Sequence, residues 1–202
     1  MPAQGQLRPK RRSGKQHAPL EVDTAFLHPM CKYVGRQCSQ RSAYGVSVNF
    51  YHVDFSQGRV CGELTIKELA RNCQDVTTFF DAELVQTADD FLTRRWGADM
   101  DVDIAHWKRL PGFNMAYLRD EDAYDFRTNR FIFMRWKEKF VVPYWEAQEV
   151  PGASYAGFYY ISFDRLKGAI TGYYFFRRSE RYQALELKYD HDHAIFPHQQ
   201  LL

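Results

Sequence analysis

Between Phe131 and Val142 the chain reads FIFMRWKEKFVV, and a strand through it aligns Ile132, Met134, Trp136, Glu138, Phe140 and Val142 on one face. That face is apolar except for Glu138. A carboxylate set in an apolar wall must be ion-paired, protonated or waiting for a cation. Glu138 therefore admits two readings: a buried ion pair with one of the chain's arginines, or the anion that receives a ligand's positive charge. The opposite face, with Phe131, Phe133, Arg135, Lys137 and Lys139, turns from apolar to basic along its length. Two further polar side chains stand on apolar strands. Tyr159 lies in AGFYYISF, and Gln183 shares a face with Leu185, Leu187 and Tyr189 in YQALELKY. Three polar groups converging in an apolar cup describe a ligand pocket with few, well-placed contacts.

Other residue clusters carry less chemistry. The run Asp190 to His193, with His198 nearby, has metal-ligand residue types, but neighbours in an extended segment point to opposite faces, so no metal site is expected. AGFYYISF approaches the RNA-recognition pattern, yet Ala156 stands where a basic residue belongs and Tyr159 where a small one does. No nucleic-acid partner is expected of the folded part. The chain has no G-x-S-x-G, P-loop, H-E-x-x-H or glycine-rich dinucleotide turn, and Glu138 has no acid or base partner in sequence. A non-catalytic protein without a cofactor is the expectation.

The elements that must position these residues are mostly strands. VSVNFYHV (46–53), with Val46, Val48 and Phe50 on one side, and VCGELTI (60–66), with Leu64 and Ile66 on one face, form a hairpin around Gly58. TTFFDAELV (77–85) is a third strand, and KELARNC before it a short helix or loop carrying Leu69. A helix capped by Thr87 is expected up to a break at Gly97, and a second from about Asp101 to Leu110, stopped by Pro111. PGFNMAYLRDEDAYDFRTNR reads as a long loop with a helical turn. Two strands split by turns at Pro143 and Pro151-Gly152, then AITGYYFFRR and YQALELKY, complete seven or eight. The fold class is mainly β: a closed antiparallel β-barrel of about eight strands with a few helical insertions.

A chain of 202 residues with 16% aromatic side chains can bury a substantial core. The net charge of +2 selects no partner, but its distribution is uneven. Residues 1–25 read as a disordered tail in which Arg8, Lys10, Arg11, Arg12 and Lys15 meet no acid before Glu21, and residues 26–202 as one domain. The tail lacks a secretory apolar core and no run is long enough to span a membrane. Cys31, Cys38, Cys61 and Cys73 form no close pair, so reduced thiols and a cytoplasmic or nucleocytoplasmic location are expected.

FMRWKEKFVVP, GASYAGFYYISF and GYY…YQALEL resemble the vacuolar import and degradation family. The likeness runs from about Tyr33 to Leu187 and includes HVD (52–54), CGELTIKEL (61–69), TTFFDAEL (77–84) and FLTRRWGADMDVDIAHW (91–107). It implies a β-barrel substrate receptor of the glucose-induced-degradation (GID, or CTLH) E3 ubiquitin ligase, whose mouth captures proteins with N-terminal proline, the Pro/N-degron, for proteasomal degradation. By the resemblance, Glu138 binds the terminal ammonium with Tyr159 beside it, Gln37 and Gln183 hydrogen-bond the peptide, and Ser154 contacts the following backbone. Val46, Leu64, Ile66, Leu69, Val76, Thr78, Val141, Val150, Tyr155 and Tyr174 correspond to the family's apolar pocket. Val76 and Val141 stand where leucine is usual, and Tyr155 where phenylalanine is. The family also implies an armadillo-repeat scaffold as partner, for which Ile195 and Phe196 are the expected apolar anchor. A lipocalin-like carrier of a small ligand is the alternative; neither an export signal nor that family's early G-x-W supports it.

Overall fold

In the computed structural model, residues 25–40, 42–69, 75–142, 156–179 and 182–193 are described. Eight strands form one closed antiparallel barrel in chain order: β1 (Lys32–Cys38), β2 (Ala43–Asp54), β3 (Arg59–Ile66), β4 (Val76–Leu84), β5 (Phe131–Val142), β6 (Phe158–Asp164), β7 (Ala169–Phe175) and β8 (Gln183–Tyr189), with β8 pairing back to β1. The barrel expectation is met, and β2 and β3 are the hairpin read from the sequence, with Gly58 at φ 65°.

Strand β1 is not among the strands expected from the sequence, because KYVGRQC alternates poorly and carries Gly35. The register supplies the reason. Gly35 lies opposite Leu187 at the closing seam, and a Cβ on it would come within 1.9 Å of the Glu186 carbonyl oxygen. The backbones approach there as only glycine allows.

The parity of β5 also needs correction. Ile132, Met134, Trp136 and Glu138 do share the interior face, but Phe140 and Val142 do not join them. The partner of Phe80 is Glu138 while that of Phe79 is Phe140, so Lys139 is an extra residue in a β-bulge. Beyond it the faces exchange. Phe140 turns outward, 42% exposed and stacked on Phe79 at 5.2 Å, and Val141 opposite Thr78 faces in.

Between β4 and β5 the chain makes an insertion that packs on the outside of the barrel. Its helix α1 spans Met100–Trp107, with the Asp99 side chain accepting from the Val102 N–H as its N-cap. The helix expected to begin at Thr87 is reduced to a 3-10 turn, Asp89–Phe91. The Asp90 carboxylate accepts from Gln86 N, Thr87 N and Thr87 Oγ1, which ties the backbone into a turn, and Arg94, Trp96 and Gly97 follow at positive φ. The expected long loop carries a 3-10 turn at Met115–Leu118.

The barrel thus has two apolar layers. Inside, Tyr33, Phe50, Phe80, Trp136 and Phe163 are buried, with Trp136 stacked on Phe80 at 4.7 Å. Outside, Phe91 sits among Trp107, Phe113, Tyr117, Tyr124 and Phe133 at 5.3–6.0 Å. Strand β6, covered on both faces, is buried along its whole length. The same cover explains Arg135, which the alternation of β5 aimed outward. It is 4% exposed, donating to the Asp90 carbonyl and facing Glu83 at 3.8 Å.

Candidate functional site

One end of the barrel collects the polar side chains singled out by the sequence. At this mouth lie the C-terminal ends of β1, β3, β5 and β7 and the starts of β2, β4, β6 and β8. Residues directly opposite in an antiparallel pair share a face. The interior row Trp136, Tyr159, Tyr174, Gln183 therefore runs unbroken across four strands. Val46 with Ile66, Ile66 with Val76, and Leu64 with Thr78 and Val141 continue the interior face through β2 to β5.

Glu138 is 5% exposed. Its Oε1 accepts from Thr78 Oγ1 at 2.6 Å, and among the described residues no arginine or lysine forms a salt bridge with it. Of the two readings open from the sequence, the ion pair is absent from that set. Burial pushes the carboxyl up to about 7, opposed by the Thr78 hydrogen bond and the charge of Lys137. Lys137 itself points away, donating to the carbonyls of Ala156 and Gly157 at 2.9 and 2.8 Å.

A hydrogen-bonded chain crosses the mouth beside it. Tyr159 Oη donates to Gln37 Oε1 at 2.7 Å, and Gln37 Nε2 donates to Gln183 Oε1 at 3.0 Å. Since Tyr159 spends its proton on Gln37, its oxygen lone pairs remain to accept. Burial, and then the nearby charge of Glu138, holds the Tyr159 phenol well above its ordinary value, so it stays neutral. Tyr174 packs against Tyr159 at 4.9 Å, and its hydroxyl accepts from Gly157 N at 3.0 Å.

Of the expected site residues, Glu138, Tyr159, Gln37, Val46, Leu64, Ile66, Val76, Thr78 and Tyr174 are buried at or near this mouth, and Leu69, Val141 and Gln183 are half-buried. Ser154, Val150 and Tyr155 lie outside the described residues, as do the turns at Pro143 and Pro151, and Cys73, His198, Ile195 and Phe196. The structure adds three features. Thr78, expected only as pocket wall, is the donor to Glu138. Tyr44 stands opposite Gln37 on the interior face, which the period-two pattern of β2 would have shown had β1 been read as its partner. Gly157 admits the Tyr174 hydroxyl, where a Cβ would lie 2.6 Å from Tyr174 Cζ and 2.2 Å from the Phe175 carbonyl oxygen.

Among the described residues no group of three or more His, Cys, Asp or Glu is arranged to hold a metal. In the segment Asp190–His193, Asp190 faces Lys32 at 3.6 Å. A separate cavity of about 410 Å³ opens outside the barrel, between α1 and the turn after β7, lined by Asp99, Asp101, His106, Phe175, Arg177 and Tyr182 among others.

Comparison with known proteins identifies relatives by sequence. The family profile described as vacuolar import and degradation protein matches residues 26–190. The glucose-induced degradation protein 4 homolog of Mus musculus is 41% identical over 177 residues, covering 86% of this chain and 82% of its own. The GID complex substrate-recognition subunit 4 of Schizosaccharomyces pombe is 35% identical over 164 residues, 75% of this chain and 84% of its own. That of Saccharomyces cerevisiae is 29% identical over 227 aligned positions, 82% of this chain and 63% of its own. A family match over most of the length, joined to a closed barrel with its polar set at one mouth, places the chain in the vacuolar import and degradation family.

Proposed function

We propose that this protein is a non-catalytic substrate-recognition subunit of a GID-type ubiquitin ligase, and that its barrel mouth captures proteins whose first residue is proline. The observation that carries the reading is Glu138: a buried carboxylate with a single described hydrogen-bond donor, next to a neutral phenol whose lone pairs are available. An N-terminal proline is a secondary ammonium with two N–H donors and an apolar ring. Glu138 takes the charge, Tyr159 Oη accepts the second N–H, and Val46, Leu64, Ile66, Val76 and Val141 enclose the ring. Gln37 and Gln183 then face the backbone that follows. The names of the relatives support the receptor role.

A primary ammonium brings a third donor into the same dry cup, and leaving it unsatisfied costs roughly 1–3 kcal/mol. Peptides beginning with alanine or serine are expected to bind correspondingly more weakly. The aromatic rings filling the lower barrel favour an end-on site over the deep calyx of a small-molecule carrier. Docking to an armadillo-repeat scaffold through Ile195 and Phe196 completes the proposal.

Calorimetric titration with a short Pro-initiated peptide, its N-acetylated twin and a Glu138→Ala variant tests it. The free peptide is expected to bind, and both the acetyl cap and the variant to abolish binding. Equal affinity for the acetylated peptide would rule out ammonium recognition.

A further inference from the structure

Gln183 stands where the barrel's own hydrogen bonding runs out. Its pairing with β7, at Tyr174, is the last rung of that ladder, and β8 stops pairing with β1 one residue later along the chain, at Ala184 opposite Cys38. The sheet therefore holds Gln183 on one side only. The residue before it, Tyr182, has left-handed backbone with φ 61°. A bulky side chain seldom adopts that conformation, and it persists where surrounding contacts hold it.

Those contacts come from the insertion and from β7. The Arg109 guanidinium lies 3.7 Å from the centre of the Tyr182 ring, the His106 ring 5.2 Å away and the Tyr173 ring 6.3 Å away, edge-on. The clamp is itself fixed: His106 Nδ1 lies 2.7 Å from the Val102 carbonyl oxygen, and its ring stacks on Tyr160 at 4.6 Å. Tyr182 thus points outward to α1 while its neighbour Gln183 points inward to Gln37.

We propose that Tyr182 is a positioning residue for peptide capture: α1 and the turn that follows it hold its ring through His106 and Arg109, and the left-handed turn this enforces aims Gln183 across the mouth. The proposal deepens the receptor function stated above and rests on it for its binding readout. It assigns α1, which lies outside the barrel, a part in recognition within it.

The full-length chain is titrated with a Pro-initiated peptide as wild type, Tyr182→Phe, Tyr182→Gly, Gln183→Ala and the Tyr182→Gly/Gln183→Ala double variant. Tyr182→Phe keeps the ring and is expected to bind like wild type. Tyr182→Gly accepts positive φ without strain but lacks the ring, so about a fivefold to tenfold loss is expected. In the Gln183→Ala background the same change is expected to cost nothing more, because the residue it positions is gone. Equal losses in both backgrounds, or wild-type affinity in Tyr182→Gly, would overturn the proposal. Should Tyr182→Gly fail to fold, Arg109→Gln, which leaves the tyrosine in place, is expected to weaken binding about threefold by removing the cation over its ring.

The side-chain amide resonances of Gln183 in the empty protein separate the two proposals. They are expected to be single and sharp in wild type and to broaden or shift in Tyr182→Gly or Arg109→Gln. If wild type binds no Pro-initiated peptide, the receptor reading fails, while unperturbed resonances in the variants would sink the positioning role on their own.

Discussion

Asp103 and Glu138 are both buried carboxylates, 1% and 5% exposed, and their partners differ. Asp103, on α1, accepts from Thr93 N at 2.7 Å, from Thr93 Oγ1 and from Tyr160 Oη at 2.7 Å, and its charge acts on the buried Arg135. It joins the insertion to β6. Glu138 has Thr78 alone among the described residues, and burial raises its carboxyl to about 7. Burial does not separate the two acids; hydrogen-bond satisfaction does, and on the function proposed above the unsatisfied one is the acid that receives the ligand.

The largest expected effect comes from exchanging the two. Asp103→Ala leaves Thr93 and Tyr160 without their shared acceptor and removes a charge that acts on the buried Arg135, and is expected to cost about 3–5 kcal/mol of stability. That lowers the melting temperature by roughly 10 °C for a chain of this size. Glu138→Gln is expected to leave melting at pH 8 unchanged or raised while weakening Pro-peptide binding by about 3 kcal/mol, or more than 100-fold. Parallel melting and titration of the two variants check the contrast, and similar profiles would break it.

Next in size is Gly157→Ala. The added Cβ meets both the Phe175 carbonyl and the Tyr174 ring, so Tyr174 must move and unpack from Tyr159. A loss of about 1–3 kcal/mol in stability is expected, as for overpacking elsewhere. Peptide affinity is expected to fall with it, by titration at a temperature where the variant is folded.

The site was legible where chemistry broke a pattern. Glu138, Tyr159 and Gln183 each stood out as polar on an apolar strand, and the motif resemblance joined them to Gln37. What escaped were features fixed by close backbone approach or by contacts distant in sequence. Gly35 hid β1, the bulge at Lys139 reversed the end of β5, and the insertion buried Arg135 on a face that alternation alone would leave in water. Thr78 lies 60 residues from Glu138 along the chain, and only register brings its hydroxyl to the carboxylate.

The pH dependence follows from the raised carboxyl. An exposed glutamate titrates near 4.3, so between there and about 7 the folded state binds the extra proton. Stability contributed by Glu138 therefore falls as pH rises through that window and is level above it, and Glu138→Gln is expected to flatten the slope. Binding runs the other way. The ammonium needs the ionised carboxylate, so affinity is expected to rise about fivefold from pH 6 to 7.5, then decline as the peptide's amine deprotonates near 8. Titration in buffers of different ionisation enthalpy is expected to register proton release near pH 6.5. An affinity independent of pH across this range would show that Glu138 is already ionised when empty.

The smallest effect sets one threonine against another. Thr78→Val removes the hydrogen bond that lowers the Glu138 carboxyl, so the empty site holds its proton to higher pH. Affinity at pH 7 is expected to drop about threefold, with the gap closing by pH 8, because only the proportion of ionised carboxylate has changed. Thr93→Val, at the same chemical position relative to Asp103, removes one of several donors. It is expected to cost about 1 kcal/mol of stability with no pH-dependent change in binding. If Thr78→Val instead weakened binding equally at both pH values, the hydroxyl would be acting as a direct peptide contact, and the difference between the two acids would lie in ligand geometry.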